Sequence, residues 1–195
     1  MNMRNTIVKT WVLGAAVSVL AACAHQSNVS NAPVSEAAAK TAQIAPLSPQ
    51  LFEAHADGRI YLFDDHKTYR DFVKSGDTPF TLTRIGAGPN GETIRFGLTS
   101  AEKKLTQGIP SVDLFDGKTA VTNSFYGETY TEGRLYVFDS FDEMNKFRKT
   151  GEATFRYTDI GAGPAGETVV YVLPKAKSKE KPEAMMSEFK RHYAM

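Results

Sequence analysis

Two stretches of the chain, GRIYLFDDHKTYRDFVKSG at residues 58–76 and GRLYVFDSFDEMNKFRKTG at residues 133–151, repeat one pattern at an offset of 75 residues. Extended outward without a gap, the repeat runs from Glu53 to Leu98 and from Glu128 to Leu173, and its glycine-rich part is matched almost letter for letter. A repeat of this length predicts two copies of one supersecondary unit rather than a solenoid of many short ones.

Each copy carries the same signals for secondary structure. Polar and apolar residues alternate around Asp57-Gly58 and around Glu132-Gly133, which predicts a β-hairpin. A helical stretch follows, and then two further strands that flank the glycine-rich segment. The sequence therefore predicts an α+β domain made of two homologous β-β-α-β-β units with pseudo-symmetry, at residues 51–100 and 126–175. The connector is assigned to residues 101–125 and the C-terminal tail to residues 176–195.

The predicted helices have defined ends. Asp65 in the first copy and Ser140 in the second are expected to cap the helix N-termini, and Ser140 stands in capping-box spacing with Glu143. Gly76 and Gly151 lie where a helix stop is expected. The inward-facing residues are predicted to be Tyr69, Phe72, Val73, Met144 and Phe147.

The glycine-rich segment of the second copy, Gly161 to Gly166, spells G-x-G-x-x-G, a pattern found at dinucleotide-binding turns. Such a turn must lead from a buried parallel strand into a helix whose N-terminus faces the pyrophosphate. Here the following residues, ETVVYVLP, are typical of a strand and end in a proline. We therefore predict no dinucleotide and no other cofactor, and we interpret the glycines as permitting positive φ in a tight hairpin loop.

The conservation of the whole string IGAGPxGET between the copies raises a second question. Glu92 and Glu167 are expected to pair with Arg59 and Arg134 across the sheet, as a structural feature. The functional alternative is that the pairs and the exposed loop amides form two related recognition sites for a partner or a small anion. The candidate recognition residues are Arg59, Arg134, Glu92, Glu167, Gly88 and Gly163.

The N-terminus predicts where the protein resides. Arg4 and Lys9 precede an apolar run too short to span a membrane, which is the layout of an export signal. The run ends in Leu20, Ala21, Ala22 and Cys23, which resembles the lipobox of bacterial lipoproteins. The resemblance implies cleavage after a signal peptide of residues 1–22, lipidation at Cys23 and, because Ala24 is not aspartate, sorting to the outer membrane. The alternative is an ordinary cleaved signal with an incidental cysteine.

The mature chain has little to attract nucleic acid. Removal of the signal takes away two of the 23 basic residues and none of the 22 acidic ones, so the remainder is nearly neutral. Residues 23–50 are rich in Ala, Ser, Asn and Pro without an aromatic residue, which predicts a flexible tether. The expected partners are the membrane, through the lipid, and a periplasmic or outer-membrane protein.

The aromatic spacing within the copies resembles that of YHS-type domains. The residues that carry the resemblance are Gly58, Tyr61, Phe63, Phe72 and Phe80, with Gly133, Tyr136, Phe138, Phe147 and Phe155. That family implies handling of a metal or small ligand, and its cysteine after the Y-x-F phenylalanine is here replaced by Asp64 and Asp139. Without this soft ligand the resemblance indicates a fold and not a metal site.

The sequence contains few other candidates for metal-binding or catalytic residues. His55, Asp65 and His66 are weak candidates for a metal site, and the alternative is helix capping and solvation. Carboxylate pairs such as Glu128 with Glu132 are available for acid–base work but are equally typical of solvated strand ends. No cysteine nucleophile is left after lipidation, so we expect no enzyme.

The connector and tail complete the prediction. The Asp116-Gly117 pair is expected to form a further hairpin turn, and the tail is expected to form a short helix through Met185, Met186 and Phe189. The predicted function is a non-catalytic outer-membrane lipoprotein that binds a protein or an envelope component. The alternative is a periplasmic carrier of a metal or small ligand, built from YHS-like units.

Overall fold

The computed structural model describes residues 49–121 and 124–195 as one mixed α/β structure with an eight-stranded sheet and four α-helices. The strands are β1 Gln50–Ala56, β2 Arg59–Phe63, β3 Thr81–Arg84, β4 Thr93–Gly97, β5 Tyr126–Thr131, β6 Arg134–Phe138, β7 Arg156–Asp159 and β8 Thr168–Val172. The α-helices are α1 His66–Ser75, α2 Pro110–Phe115, α3 Phe141–Thr150 and α4 Glu183–Tyr193. A short 3₁₀ helix spans Lys175–Lys177.

The predicted N-terminal segments fall largely outside this description. The signal peptide of residues 1–22, the lipidated Cys23 and the tether up to residue 48 lie outside the described residues. The last residue assigned to the tether, Gln50, is already the first residue of β1.

The strands lie in the order β3-β4-β2-β1-β5-β6-β8-β7. β1 and β5 pair in parallel at the centre, with Phe52 opposite Glu128. Outward from this pair, β1 pairs with β2 and β5 with β6 in antiparallel fashion, while β2–β4 and β6–β8 are parallel pairs. The edge strands β3 and β7 are only four residues long, which limits the unpaired backbone at the edges.

The predicted hairpins and the order of elements are confirmed. The first turn has Asp57 at φ 51° and Gly58 at φ 67°, with Ala56 opposite Arg59. Two residues with positive φ form the type I′ turn that matches the twist of a hairpin. The stretch β1-β2-α1-β3-β4 and the stretch β5-β6-α3-β7-β8 both follow the predicted β-β-α-β-β order.

Helices cover both faces of the sheet, so the central strands bury side chains on both sides. Tyr69 and Phe72 of α1 share one core cluster with Phe189 of α4, so this side is called the α1 face. Val112 of α2 and Phe147 of α3 belong to the cluster on the opposite side, called the α3 face. Alternate residues of β2 and β6 enter the two clusters, so these strands are apolar after their first residue.

The helix ends follow the predicted signals. The Asp65 carboxylate accepts a hydrogen bond from the Thr68 amide at 2.8 Å, and the Ser140 hydroxyl accepts one from the Glu143 amide at 3.4 Å. Gly76 and Gly151 end α1 and α3 in the left-handed conformation.

The prediction of a hairpin in the connector is wrong, because residues 110–115 form helix α2. Pro110 supplies a fixed φ in the first turn, and the amide of Ser111 donates to the Asp64 carboxylate at 3.0 Å. Val112 and Leu114 are buried against the sheet, which stabilises the helical over the extended form. The predicted tail helix is confirmed as α4, with Met185, Met186 and Phe189 buried.

Candidate functional site

Most of the candidate recognition residues meet at one end of the sheet. Strands β2, β4, β6 and β8 all run in the same direction, since they are linked by parallel pairs and by the parallel β1–β5 pair. The four connections that lead into these strands must therefore lie at the same end, which we call the loop end. It contains the two hairpin turns and the two glycine loops, residues 85–92 and 160–167. Arg59 and Arg134, the first residues of β2 and β6, lie there as well.

Each glycine loop is fixed by the glutamate at its end. The Glu92 carboxylate accepts from the Asn90 amide at 2.8 Å, and the Glu167 carboxylate accepts from the Ala165 amide at 2.8 Å. The amide of Gly163 also donates to the Glu167 carbonyl at 2.9 Å. A Cβ at Gly163 would lie 3.0 Å from the Cβ of Glu167, so this glycine is needed for close approach rather than for positive φ.

The predicted pairing of these glutamates with arginines is wrong. Among residues 49–121 and 124–195, no ion pair joins Glu92 or Glu167 to Arg59 or Arg134. The glutamates are satisfied by their own loop amides instead, since a local hydrogen bond orders fewer side-chain torsions than a cross-strand ion pair. Arg59 instead donates to the Asp57 carbonyl at 3.4 Å.

Arg134 lines a concave surface of about 650 Å³ on the α3 face, which we call the arginine groove. Register places Arg134 beside Thr168, and Thr158 beside Val170, so these side chains share one face of the outer strands. Arg156 contributes a second guanidinium, which donates to the Ala153 carbonyl at 2.7 Å. Two guanidinium groups and several threonine hydroxyls favour an acidic or polar partner.

In the first half, the surface that corresponds to the arginine groove is occupied by the side chain of Arg95. Arg59 lies on the α1 face with Tyr61, and Arg95 of the adjacent strand donates to Thr81 at 3.0 Å and to the Tyr61 hydroxyl at 3.4 Å. The Arg95 guanidinium is also 5.4 Å from the centre of the Tyr61 ring. The structure thus places Arg59 and Arg134 at the same end of the sheet but on opposite faces.

Two isoleucines at the loop end were missed by the sequence reasoning. Ile85 is 89% exposed and Ile160 is 85% exposed, each as the first residue of a glycine loop. Ile85 is the last residue of FTLTRI, the stretch that the sequence predicts as the strand before the first glycine-rich segment. The following glycine was the available signal, because it ends the strand at Arg84 and leaves the side chain outside the sheet.

The weak metal candidates do not converge. His55 follows Glu53 on the α3 face and lies 2.6 Å from its carboxylate, while His66 is in α1 on the opposite face. Asp65 is used as the helix cap. In the part of the chain that the structure describes, no group of three or more His, Cys, Asp or Glu side chains is arranged to hold a metal ion.

A second cavity, of about 700 Å³, lies on the α1 face between α1 and the loop of residues 160–167. We call it the tyrosine groove, because Tyr69, Tyr130 and Tyr193 line it. At its inner end the hydroxyl of Tyr193 donates to the buried carboxyl of Glu128 at 2.7 Å, and Tyr126 donates to the same group.

The environment of Glu128 changes its protonation. Burial raises its pKa to about 7, although the tyrosine hydrogen bonds act in the opposite direction. Burial also lowers the pKa of the neighbouring His66 to about 4, with the positive charges of His192 and Arg70 adding to the effect.

Glu53 is the counterpart of Glu128 in the repeat and is buried on the opposite face. Its carboxylate lies 2.6 Å from the Arg148 guanidinium and 2.6 Å from His55. Burial acts to raise the pKa of Glu53, but Arg148 and His55 outweigh it and hold the pKa below its ordinary value. This carboxylate is therefore charged and neutralised inside the fold.

None of the helices in residues 49–121 and 124–195 combines the length and the apolar character needed to cross a bilayer. No protein-family model matches the chain, and neither a curated protein nor a solved structure matches it.

Proposed function

We propose that the chain is a lipid-anchored, non-catalytic binding protein on the periplasmic face of the outer membrane. In this proposal Cys23 carries the lipid, the segment between Cys23 and the sheet forms the tether, and the loop end recognises a protein or another envelope component. The lipobox-like sequence before Cys23 supports the anchor. The observation that carries the binding role is the exposure of Ile85 and Ile160 beside the arginines of the same end.

Exposure of these two isoleucine side chains to water is unfavourable, and contact with a partner would remove them from water. An isoleucine side chain gains roughly 2 kcal/mol when it is transferred from water to an apolar surface. The glycine loops are held by the internal hydrogen bonds of Glu92 and Glu167, so they present the isoleucines in a defined geometry. Rigid presentation lowers the entropy that binding must overcome.

The arginines give this surface its polar component. The planar guanidinium groups of Arg134 and Arg156 each present a positive charge and several hydrogen-bond donors in a fixed geometry. Arginine is one of the residue types enriched among those that contribute most to the binding energy of an interface. This composition supports recognition rather than catalysis.

We further infer that the two halves are homologous copies related by a pseudo-two-fold axis. The constant offset of 75 residues supports this, as does the mirrored strand order outward from the β1–β5 pair. Equivalent strands are parallel, so the axis would run along the strands and exchange the two faces. The positions of α1 and α3 on opposite faces agree with that operation.

The proposal predicts the effect of removing both loop-end arginines. Arg59→Ala with Arg134→Ala should strongly reduce chemical crosslinking of the lipoprotein to its partner in cells, because both charged donors are lost. Both side chains are exposed, so the midpoint of thermal unfolding should change little. Lys190→Ala, an exposed cation on α4, is the matched control and should leave the crosslinks unchanged. Undiminished crosslinking in the double variant would refute the binding role of the arginines.

A second candidate function is a periplasmic carrier of a small ligand. The observation that favours it is the tyrosine groove, whose volume of about 700 Å³ lies within the range of ligand sites.

A further inference from the structure

The two buried glutamates occupy equivalent positions of the repeat but have different partners. Arg148 of α3 reaches Glu53, and the residue of α1 that stands 75 positions earlier is Val73. Among the described residues no ion pair reaches Glu128, and its carboxyl accepts hydrogen bonds from the hydroxyls of Tyr126 and Tyr193. The cavity of the tyrosine groove lies beside Val73, where the other half places its arginine.

The groove has an apolar floor and a polar inner end. Tyr130 and Leu135 of the central strands line it together with Val73, and Pro164 and Ala165 form the opposite wall. These groups offer a ring-sized apolar surface that is open to solvent at one side.

Two cations of α1 at the rim are not neutralised. Arg70 and Lys74 are four residues apart on the same helix face, and neither forms an ion pair within residues 49–121 and 124–195. The Arg70 guanidinium lies 5.1 Å from the centre of the Tyr193 ring, which directs it toward the inner end. Lys67, the third cation of this wall, is already paired with Asp71 at 2.6 Å.

The acidic groups of the groove form no direct ion pair with Arg70 or Lys74. Asp71 is used by Lys67, and the Glu167 carboxylate accepts from the Ala165 amide at 2.8 Å. The buried Glu128 does not line the cavity itself.

A buried polar atom without a partner lies at the inner end. Nε2 of His66 is buried and has no hydrogen-bond partner among the described residues, and the His66 ring lies beside the fully buried ring of Tyr69. Both residues line the groove. A buried polar atom without a partner is unfavourable, so a ligand that supplied a hydrogen bond to it would bind more tightly.

We propose that the tyrosine groove binds a small organic anion, with its acidic group on Arg70 and Lys74 and its apolar ring against Tyr130 and Tyr193. The acidic group is a carboxylate or a phosphate ester, since both accept charge-assisted hydrogen bonds from guanidinium and ammonium groups. The site lies on the α1 face and is distinct from the arginine groove on the α3 face. Loss of one would leave the other intact.

Isothermal titration of the full lipidated protein in detergent tests this site with three ring compounds. Phenyl phosphate and benzoate carry the two kinds of acid, and benzylamine carries the same ring with a positive charge. At least one of the two anions should bind, and the tighter one identifies the acid that the site prefers. Absence of binding by both anions, or equally tight binding of benzylamine, would overturn the proposal.

Variants locate the binding. Arg70→Gln with Lys74→Gln should weaken the preferred anion by about tenfold or more, because two charge-assisted hydrogen bonds are lost. Lys149→Gln is the matched control, since Lys149 is the counterpart of Lys74 in α3. Unchanged affinity in the double variant would overturn the assignment.

Val73→Arg gives an independent check, because it places an arginine where the other half has Arg148, the residue that pairs with Glu53. The new guanidinium is expected to reach Glu128 and fill the groove, so anion binding should be lost while the protein stays folded by circular dichroism. A folded Val73→Arg protein that bound the anion as the wild type does would contradict the proposal.

Discussion

Single residues decide how each half of this sheet accommodates a buried carboxylate. Glu53 is charged because Arg148 and His55 contact it, whereas Glu128 is surrounded by tyrosines and has its pKa raised to about 7 by burial. The repeat predicts that the two glutamates are equivalent, and it shows that Arg148 replaces Val73. It does not show that the 148 side chain reaches position 53, because that contact depends on which helix covers which strand.

The protonation of Glu128 predicts a pH dependence of stability. Its pKa of about 7 in the folded state exceeds the ordinary value of 4.5, so the folded state binds the proton more tightly. The free energy of unfolding should therefore fall as pH rises from about 4.5 to about 7, by up to roughly 3 kcal/mol, and show no further loss from this group above that range. Glu128→Gln should remove this contribution.

Urea unfolding of wild type and Glu128→Gln across this pH range measures the effect. The variant should gain stability relative to the wild type as pH rises, since its amide cannot ionise. Glu132→Gln, at the exposed hairpin turn, serves as the control. Parallel curves for Glu128→Gln and wild type would show that Glu128 does not titrate in this window.

At the scale of elements, local signals predict most of the structure. Asp-Gly and Glu-Gly turns, the Asp65 and Ser140 caps and the left-handed glycines are decided by residues close in sequence, and these predictions are confirmed. The predicted hairpin in the connector is wrong, because helix α2 forms there instead. That helix depends on burial of Val112 and Leu114 and on the distant carboxylate of Asp64. The exposure of Ile85, in contrast, has a local signal, because Gly86 directly after it ends the strand at Arg84.

Much of the stability that helix α4 adds to the fold is expected to come from one side chain, Phe189. Phe189 is fully buried and packs against Tyr171 and Tyr193 at ring distances of 6.2 Å and 4.7 Å. Phe189→Ala should reduce the free energy of unfolding by about 3 kcal/mol, because it leaves a cavity between α4 and the sheet. Chemical denaturation measures the loss, with Lys190→Ala as an exposed neighbour that should change it by less than about 0.5 kcal/mol. A loss in Phe189→Ala no larger than in the control would mean that α4 is not firmly packed.

At the scale of the whole molecule, the sequence predicts the elements but not their arrangement. The repeat gives no information on whether the two units pair through β1 and β5 or through their outer strands, since both arrangements bury apolar residues. Pairing of β1 with β5 in parallel brings four connections to one end and puts Arg59 and Arg134 on opposite faces. The candidate recognition residues were therefore identified from the sequence, whereas their common location required the sheet order.

The central claim is that the loop end contacts a partner of the anchored protein. A photo-crosslinking amino acid placed at position 160 or 85 of the full lipoprotein tests it in cells. We expect a discrete adduct from at least one of these positions and none from position 105, where Leu105 is also exposed but lies in the connector. Equal adducts from position 105, or none from 160 and 85 in the folded protein, would contradict the account.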